Sequence, residues 1–211
     1  MKLNSRIVAV AGTLLAVAAA VLIQSASERL GNASAAASEA REATLHSYRI
    51  AQSLKSLSNG YELAMNEYYS TVLEFPVYRQ KAAEHQAAIE RELATLQQLR
   101  ASDANAVAEL TRAFKEMETF RIALEGALSA ADKDWDGARE ALFKVNVVSV
   151  RAIQQADVLA RVADERAMTL DRDWQDHQSK ALGMLRLAMA AAIAAAVLTG
   201  LCLWRRSRAE A

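Results

Sequence analysis

Apolar positions recur through most of the chain at alternating steps of four and three. In one stretch they are Ile50, Leu54, Leu57, Tyr61, Ala64 and Tyr68, and Leu142, Val145, Ala152, Ala156, Leu159 and Ala163 nearly repeat the pattern. This is the period of a helix that buries one stripe in a bundle. Ile89, Leu93 and Leu96 mark a second helix, and Val107, Leu110, Phe114, Met117, Leu124 and Leu128 a third. No stretch alternates as a strand would. At each end of the chain the periodicity gives way to an unbroken apolar run, residues 7–23 and 187–204.

Three breaks divide the periodic region into four helices. Before Pro76, the sole proline, the preceding residue, Phe75, is pushed out of helical geometry, and the proline suits the first turn of a new helix. Ser102 or Asp103 can cap the third helix and Asp134 the fourth. The helices predicted are about 24–74, 76–101, 103–131 and 134–186. The expected fold is all-α, an antiparallel up-down four-helix bundle flanked by two transmembrane helices. At about 1.5 Å per residue the first and fourth helices reach roughly 70 Å and the inner hairpin roughly 40 Å, so the hairpin packs on the membrane-distal part alone. Ala33, Ala35 to Ala37, Ala40 and Ala43 suit close helix approach nearer the membrane, and Gly31 and the Asn59-Gly60 pair are expected to mark bends.

The apolar runs hold about 17 and about 18 residues, close to the roughly 20 that cross a hydrocarbon core of about 30 Å. Lys2 and Arg6 precede the first and Arg205, Arg206 and Arg208 follow the second, which puts both termini in the cytoplasm. The domains expected are a cytoplasmic N-terminus (1–6), a span (7–23), an extracytoplasmic domain (24–186), a second span (187–204) and a cytoplasmic tail (205–211). A cleaved leader competes for the first run, which is slightly longer than the about 7 to 15 residues of a leader's apolar region and so favours a retained anchor. Setting aside the cytoplasmic charges leaves 20 basic and 24 acidic residues outside, a net of about −4, which argues against a nucleic-acid partner. The single cysteine, Cys202, lies in the second span, so stability must come from packing.

The layout resembles the four-helix-bundle sensor domain of methyl-accepting chemotaxis receptors and related sensor kinases. The stretch 130–142, Ala-Ala-Asp-Lys-Asp-Trp-Asp-Gly-Ala-Arg-Glu-Ala-Leu, is similar to that family's acidic turn into helix four, and Glu90 to Leu96 to its helix-two tail. The resemblance covers the chain from the first span through the second. It implies signal transduction in chemotaxis, a periplasmic sensor domain in a bacterial inner membrane, a homodimer and a small-molecule ligand. Such receptors continue past the second span into a coupling module and a signalling coiled coil, whereas 205–211 alone follow it here. The expected output therefore runs through a cytoplasmic or membrane signalling partner, or is lost by truncation. A non-sensing accessory or scaffold subunit of a membrane complex is the alternative.

Tyr61, Glu62, Asn66, Glu67, Tyr68 and Tyr69 form the richest polar and aromatic cluster. Glu62, Asn66 and Tyr69 recur at steps of four and three, so one helix face can present a carboxylate, an amide and a phenol to a cationic or hydrogen-bonding ligand. Tyr61 and Tyr68 also fit the apolar seam, where packing is the competing reading. The family takes ligands near the distal end, between helices one and four and often across a dimer interface, which implies Arg139, Lys144 and Asn146 as facing residues. The arginine cluster of amino-acid-sensing relatives is not apparent, so an amino-acid carboxylate is not the first choice of ligand. His46, His85 and His177 fall on different helices with no ligand spacing, so neither metal nor other cofactor is expected. No phosphate-binding glycine loop or activated nucleophile suggests an enzyme. The charged stretch from Arg161 to Asp176 reads most simply as a solvated face, with a docking surface as the alternative.

Overall fold

The computed structural model describes residues 5–99, 103–129 and 131–209, of which 5–9, 202–203 and 205–209 are described by backbone alone. Among these residues the chain forms four α-helices and no strand: α1 (Ser5–Tyr69), α2 (Phe75–Gln98), α3 (Ala104–Ser129) and α4 (Trp135–Ala209). They fall into two compact units, Ala40–Thr169 and a second within Met1–Glu39 and Leu170–Ala211.

Ala40–Thr169 is the four-helix bundle. Every seam residue expected from the spacing is buried, except Leu57 and Tyr68, which are half-buried and pack against the same core. Each leucine fully withdrawn from water contributes about 1.5–3 kcal/mol, so the stripes of Leu54, Leu96, Leu110 and Leu124 account for much of the cohesion. Polar pairs fix which helices are neighbours. Ser58 and Ser149 hydroxyls meet at 3.1 Å inside the core between α1 and α4, where Lys55 also pairs with Asp157 at 2.9 Å. Arg151 of α4 reaches Glu116 of α3 at 2.9 Å, and Ser53 of α1 donates to Glu92 of α2 at 2.8 Å.

The helix ends follow from local chemistry. Asp103 caps α3 by accepting from the Asn105 and Ala106 amides at 2.9 and 3.2 Å, and Asp134 caps α4 by accepting from the Gly137 amide at 2.9 Å. The other cap candidate, Ser102, lies outside the described residues. Pro76 sits in the first turn of α2, but Phe75, expected outside helical geometry, is the first residue of that helix; the extended residue is its N-cap, Glu74. Helix α1 stops at Tyr69, earlier than the proline alone would require. The Val72 amide donates to Glu67 O at 2.9 Å and the Thr71 amide to Tyr68 O at 3.1 Å, with Thr71 at a φ of 62°. These are the two bonds of a helix-terminating loop whose left-handed position usually belongs to glycine.

Neither Gly31 nor Asn59-Gly60 interrupts α1. Gly60 serves close approach instead: a Cβ there would lie 2.7 Å from Cε1 of His85 on α2, so the absent side chain makes room for the imidazole.

The second unit is built the other way round. Gly12, Ala19 and Ala26 of α1 recur every seventh residue and are buried, as are Ala181, Ala188 and Ala195 of α4. A Cβ on Gly12 would meet Thr199 Cγ2 at 3.5 Å and Ala195 O at 3.8 Å, so the backbones approach closely. Large apolar side chains face outward: Val10, Leu14, Val17 and Val21 on α1, and Leu187, Ile193, Val197 and Leu201 on α4. Small residues inside and large ones outside suit helices packed in lipid, where burial of apolar surface gives no driving force between them. Both helices are long and apolar enough to cross a membrane. Ala33 and Ala37 are half-buried, whereas Ala35 and Ala36 are exposed.

Candidate functional site

The polar residues on the adjoining faces of α1 and α4 meet in pairs. In the orientation that satisfies its hydrogen bonds, the Asn146 amide nitrogen donates to Glu62 Oε1 at 3.3 Å and to Leu142 O at 3.2 Å. Asn66 turns back along its own helix, donating to Glu62 O at 3.0 Å. Tyr69 meets Trp135 edge-on, with ring centroids 5.9 Å apart. Arg139 is exposed, and hydrogen bonding to Tyr69 and the Asp136 carboxylate at 3.3 Å hold its guanidinium above the ordinary range. Glu62, Asn66, Tyr69, Arg139 and Asn146 therefore lie along one α1 and α4 surface. Lys144 points elsewhere, pairing with Glu140 at 2.6 Å and lying 5.7 Å over the Phe120 ring of α3.

Tyr61 belongs to a different assembly. It is buried, and its hydroxyl donates to Glu118 Oε2 of α3 at 2.6 Å. Arg121 grips the same carboxylate through two nitrogens, at 2.7 and 2.5 Å, and also pairs with Glu125. Burial opposes ionisation of Glu118, but hydrogen bonds from Arg121 and Tyr61, with the Arg121 charge, outweigh it and hold the carboxyl below its usual range. Burial pushes the Tyr61 phenol far above its ordinary value, and acceptance of its proton by Glu118 adds to this. Tyr78 of α2 is fully buried beside the cluster. Burial, then the Glu125 charge, raises its phenol, yet its hydroxyl makes no hydrogen bond of ordinary geometry.

This network was visible in the sequence only as a gap. Positions 107, 110, 114, 117, 121, 124 and 128 are spaced three and four apart, and Arg121 is the one that is not apolar. A cation at a seam position, with glutamates three residues before and four after, carries the signal of a buried ion cluster.

Among the described residues, two of the cavities on the bundle bear on the site. One, of about 320 Å³, lies between α2 and α3, walled by Ile89, Leu93 and Phe114 and floored by Tyr61 and Glu118. The other, of about 390 Å³, lies at the end bearing the α1–α2 and α3–α4 connections, between Tyr68, Phe75 and Trp135, with Thr71, Glu74 and Lys133 at its edges. Both fall within the range of small-molecule sites. Among the described residues no group of three or more His, Cys, Asp or Glu could hold a metal ion. His85 packs singly against Gly60, and burial lowers its pKa.

No known protein-family model, curated protein or solved structure matches the chain.

Proposed function

We propose that this protein is a membrane-anchored, extracytoplasmic ligand-sensing module of the chemoreceptor type, acting in signal transduction as a homodimer in a bacterial inner membrane. The observation that carries the reading is helical continuity. The two helices with membrane-length apolar stretches, α1 and α4, each run as one helix to the polar surface of Glu62, Asn66, Arg139 and Asn146. A ligand that favours one arrangement of these two helices shifts their equilibrium by its difference in affinity for the two states.

A second row of positions supports the homodimer. Leu45, Tyr48, Gln52, Ser56, Asn59, Leu63, Asn66 and Ser70 recur at steps of three and four on α1 without a single charge. Leu45, Tyr48 and Leu63 are exposed there, on a helix whose opposite stripe already forms the core. Such a doubled seam is what a helix pairing with its own copy requires.

The experiment is a small-molecule panel against the full chain in lipid nanodiscs, read by thermal unfolding. A ligand of the native state present at 100 times its Kd stabilises by about 2.7 kcal/mol, a readily measured rise in Tm. Absence of any saturable rise, together with co-purification of a stable partner, would instead favour an accessory subunit.

A further inference from the structure

We infer that the cavity at the connection end of the bundle is a site for a small organic cation of the quaternary or alkylated ammonium class. This rests on the ligand-sensing reading and assigns its ligand to Tyr68, Phe75 and Trp135 instead of to the α1 and α4 polar surface.

Four features of the cavity converge on that chemistry. First, its aromatic rings already hold cations. The Lys133 ammonium lies 5.5 Å from the Trp135 centroid and the Arg79 guanidinium 5.6 Å from that of Phe75. Both distances are within the range in which a ring face attracts positive charge. Second, Lys133 makes this contact although Asp132, Asp134 and Asp136 are its near neighbours in sequence, and it forms no ion pair among the described residues. An exposed lysine between aspartates that settles on an indole is a stand-in for a ligand cation.

Third, the cavity edge carries a carboxylate with no other work. Glu74 stands at the N-cap of α2, but its side chain makes no capping bond, and no ion pair or hydrogen bond engages it among the described residues. A free carboxylate beside aromatic faces is the composition that recognises alkylammonium groups. Fourth, Thr71 at the rim holds a φ of 62°, which a β-branched residue adopts only under strain. Strained backbone of this kind gathers at ligand sites. Tyr68 is held in place from behind by stacking on the buried Tyr78, with centroids 4.2 Å apart and planes 9° from parallel. The aromatic wall is therefore preorganised, and Lys133, on a short turn, is the part free to leave.

Because Lys133 occupies the aromatic site, removing its side chain should improve binding. With the full chain in nanodiscs free of choline lipids, tetramethylammonium and choline are titrated calorimetrically at constant ionic strength. Their neutral isostere 3,3-dimethylbutan-1-ol is run alongside. Saturable binding of both cations is expected, with the isostere at least about tenfold weaker. Lys133→Ala should tighten the cations by about three- to tenfold by removing the internal competitor, an effect that misfolding cannot imitate. Trp135→Ala and Glu74→Gln should each weaken them by about tenfold, and Arg112→Ala, on the exposed face of α3 and lining neither cavity, should leave them within about twofold. Equal binding of the isostere, or weaker binding in Lys133→Ala, would overturn the inference. If anionic or neutral compounds stabilise the chain while the cations do not, the inference fails and the sensing reading stands. If no compound binds, both fail.

Discussion

Replacing Arg121 with methionine preserves side-chain length and removes the cation that joins Glu118 to Glu125. Both carboxylates then remain between α1, α2 and α3 without a counter-charge. Breaking a buried ion pair from one side costs about 3–5 kcal/mol. Here the three side chains keep between 14% and 25% of their exposure, and Tyr61 still donates to Glu118, so the expected loss is about 2–3 kcal/mol near pH 7. The dependence on pH separates this cause from simple loss of packing. In the wild type the folded pKa of Glu118 is depressed, so its contribution is complete above the unfolded value of about 4.3 and is lost as pH falls through the lower folded value. In the variant, burial without a cation raises the carboxyl pKa, so stability erodes as pH rises above about 4.3. The gap between wild type and variant should therefore widen from about pH 4 to pH 7. Hydrogen exchange of the bundle amides in the full chain, held in nanodiscs, measures that gap at each pH. The triple variant Glu118→Gln, Arg121→Met, Glu125→Gln removes the charges together and should lie within about 1 kcal/mol of the wild type or above it. A single variant as stable as the triple one, or a gap that does not change with pH, would refute the reasoning.

Gly60→Ala should destabilise the bundle by about 1–3 kcal/mol, because its Cβ meets the His85 ring, and His85→Ala in the same chain should recover most of the loss in a thermal double-mutant cycle. With His85 half-buried and its folded pKa lowered by that burial, wild-type stability should decline as pH falls below the unfolded value of about 6.5 and level off beneath the folded one; the decline should be absent in His85→Ala. Thr71→Gly relieves a left-handed β-branched residue and should raise stability by about 1 kcal/mol in thermal unfolding. Asp134→Ala removes the α4 cap and should cost about 1 kcal/mol, seen first as faster exchange of the amides in the first turn of α4. In a chain with Cys202→Ala, Asn59→Cys should form a disulfide-linked dimer on mild oxidation in membranes and Arg112→Cys on α3 should not; equal crosslinking at both would count against pairing through α1.

The all-α class, the starts of α3 and α4 and the burial of the seams were legible in the sequence. Period, proline and caps act within a few residues, so Leu54, Leu110 and Val145 could be assigned to the core, and Asp103 and Asp134 to helix starts, from spacing alone. The early stop of α1 was not legible, because Thr71 occupies a position that glycine ordinarily signals. Gly60 is ambiguous for a related reason: a glycine that makes room for a contact 25 positions away in sequence looks the same as one that marks a bend. At the candidate site, Glu62 and Asn146 could be assigned to facing helices. Tyr61 could not be assigned to Glu118, since that depends on how α3 is rotated against α1.

By itself the sequence determined that this protein is all-α, with two membrane-length helices and four amphipathic bundle segments, because helical period and apolar run length are properties of neighbouring residues. The tertiary structure decided which polar and aromatic groups share a space. Arg121 was placed between two glutamates, Lys133 on Trp135, and Tyr68, Phe75 and Trp135 around one cavity by the rotation and register of helices from distant parts of the chain. Those are set by the packing of all four seams at once, and no single seam contains that information.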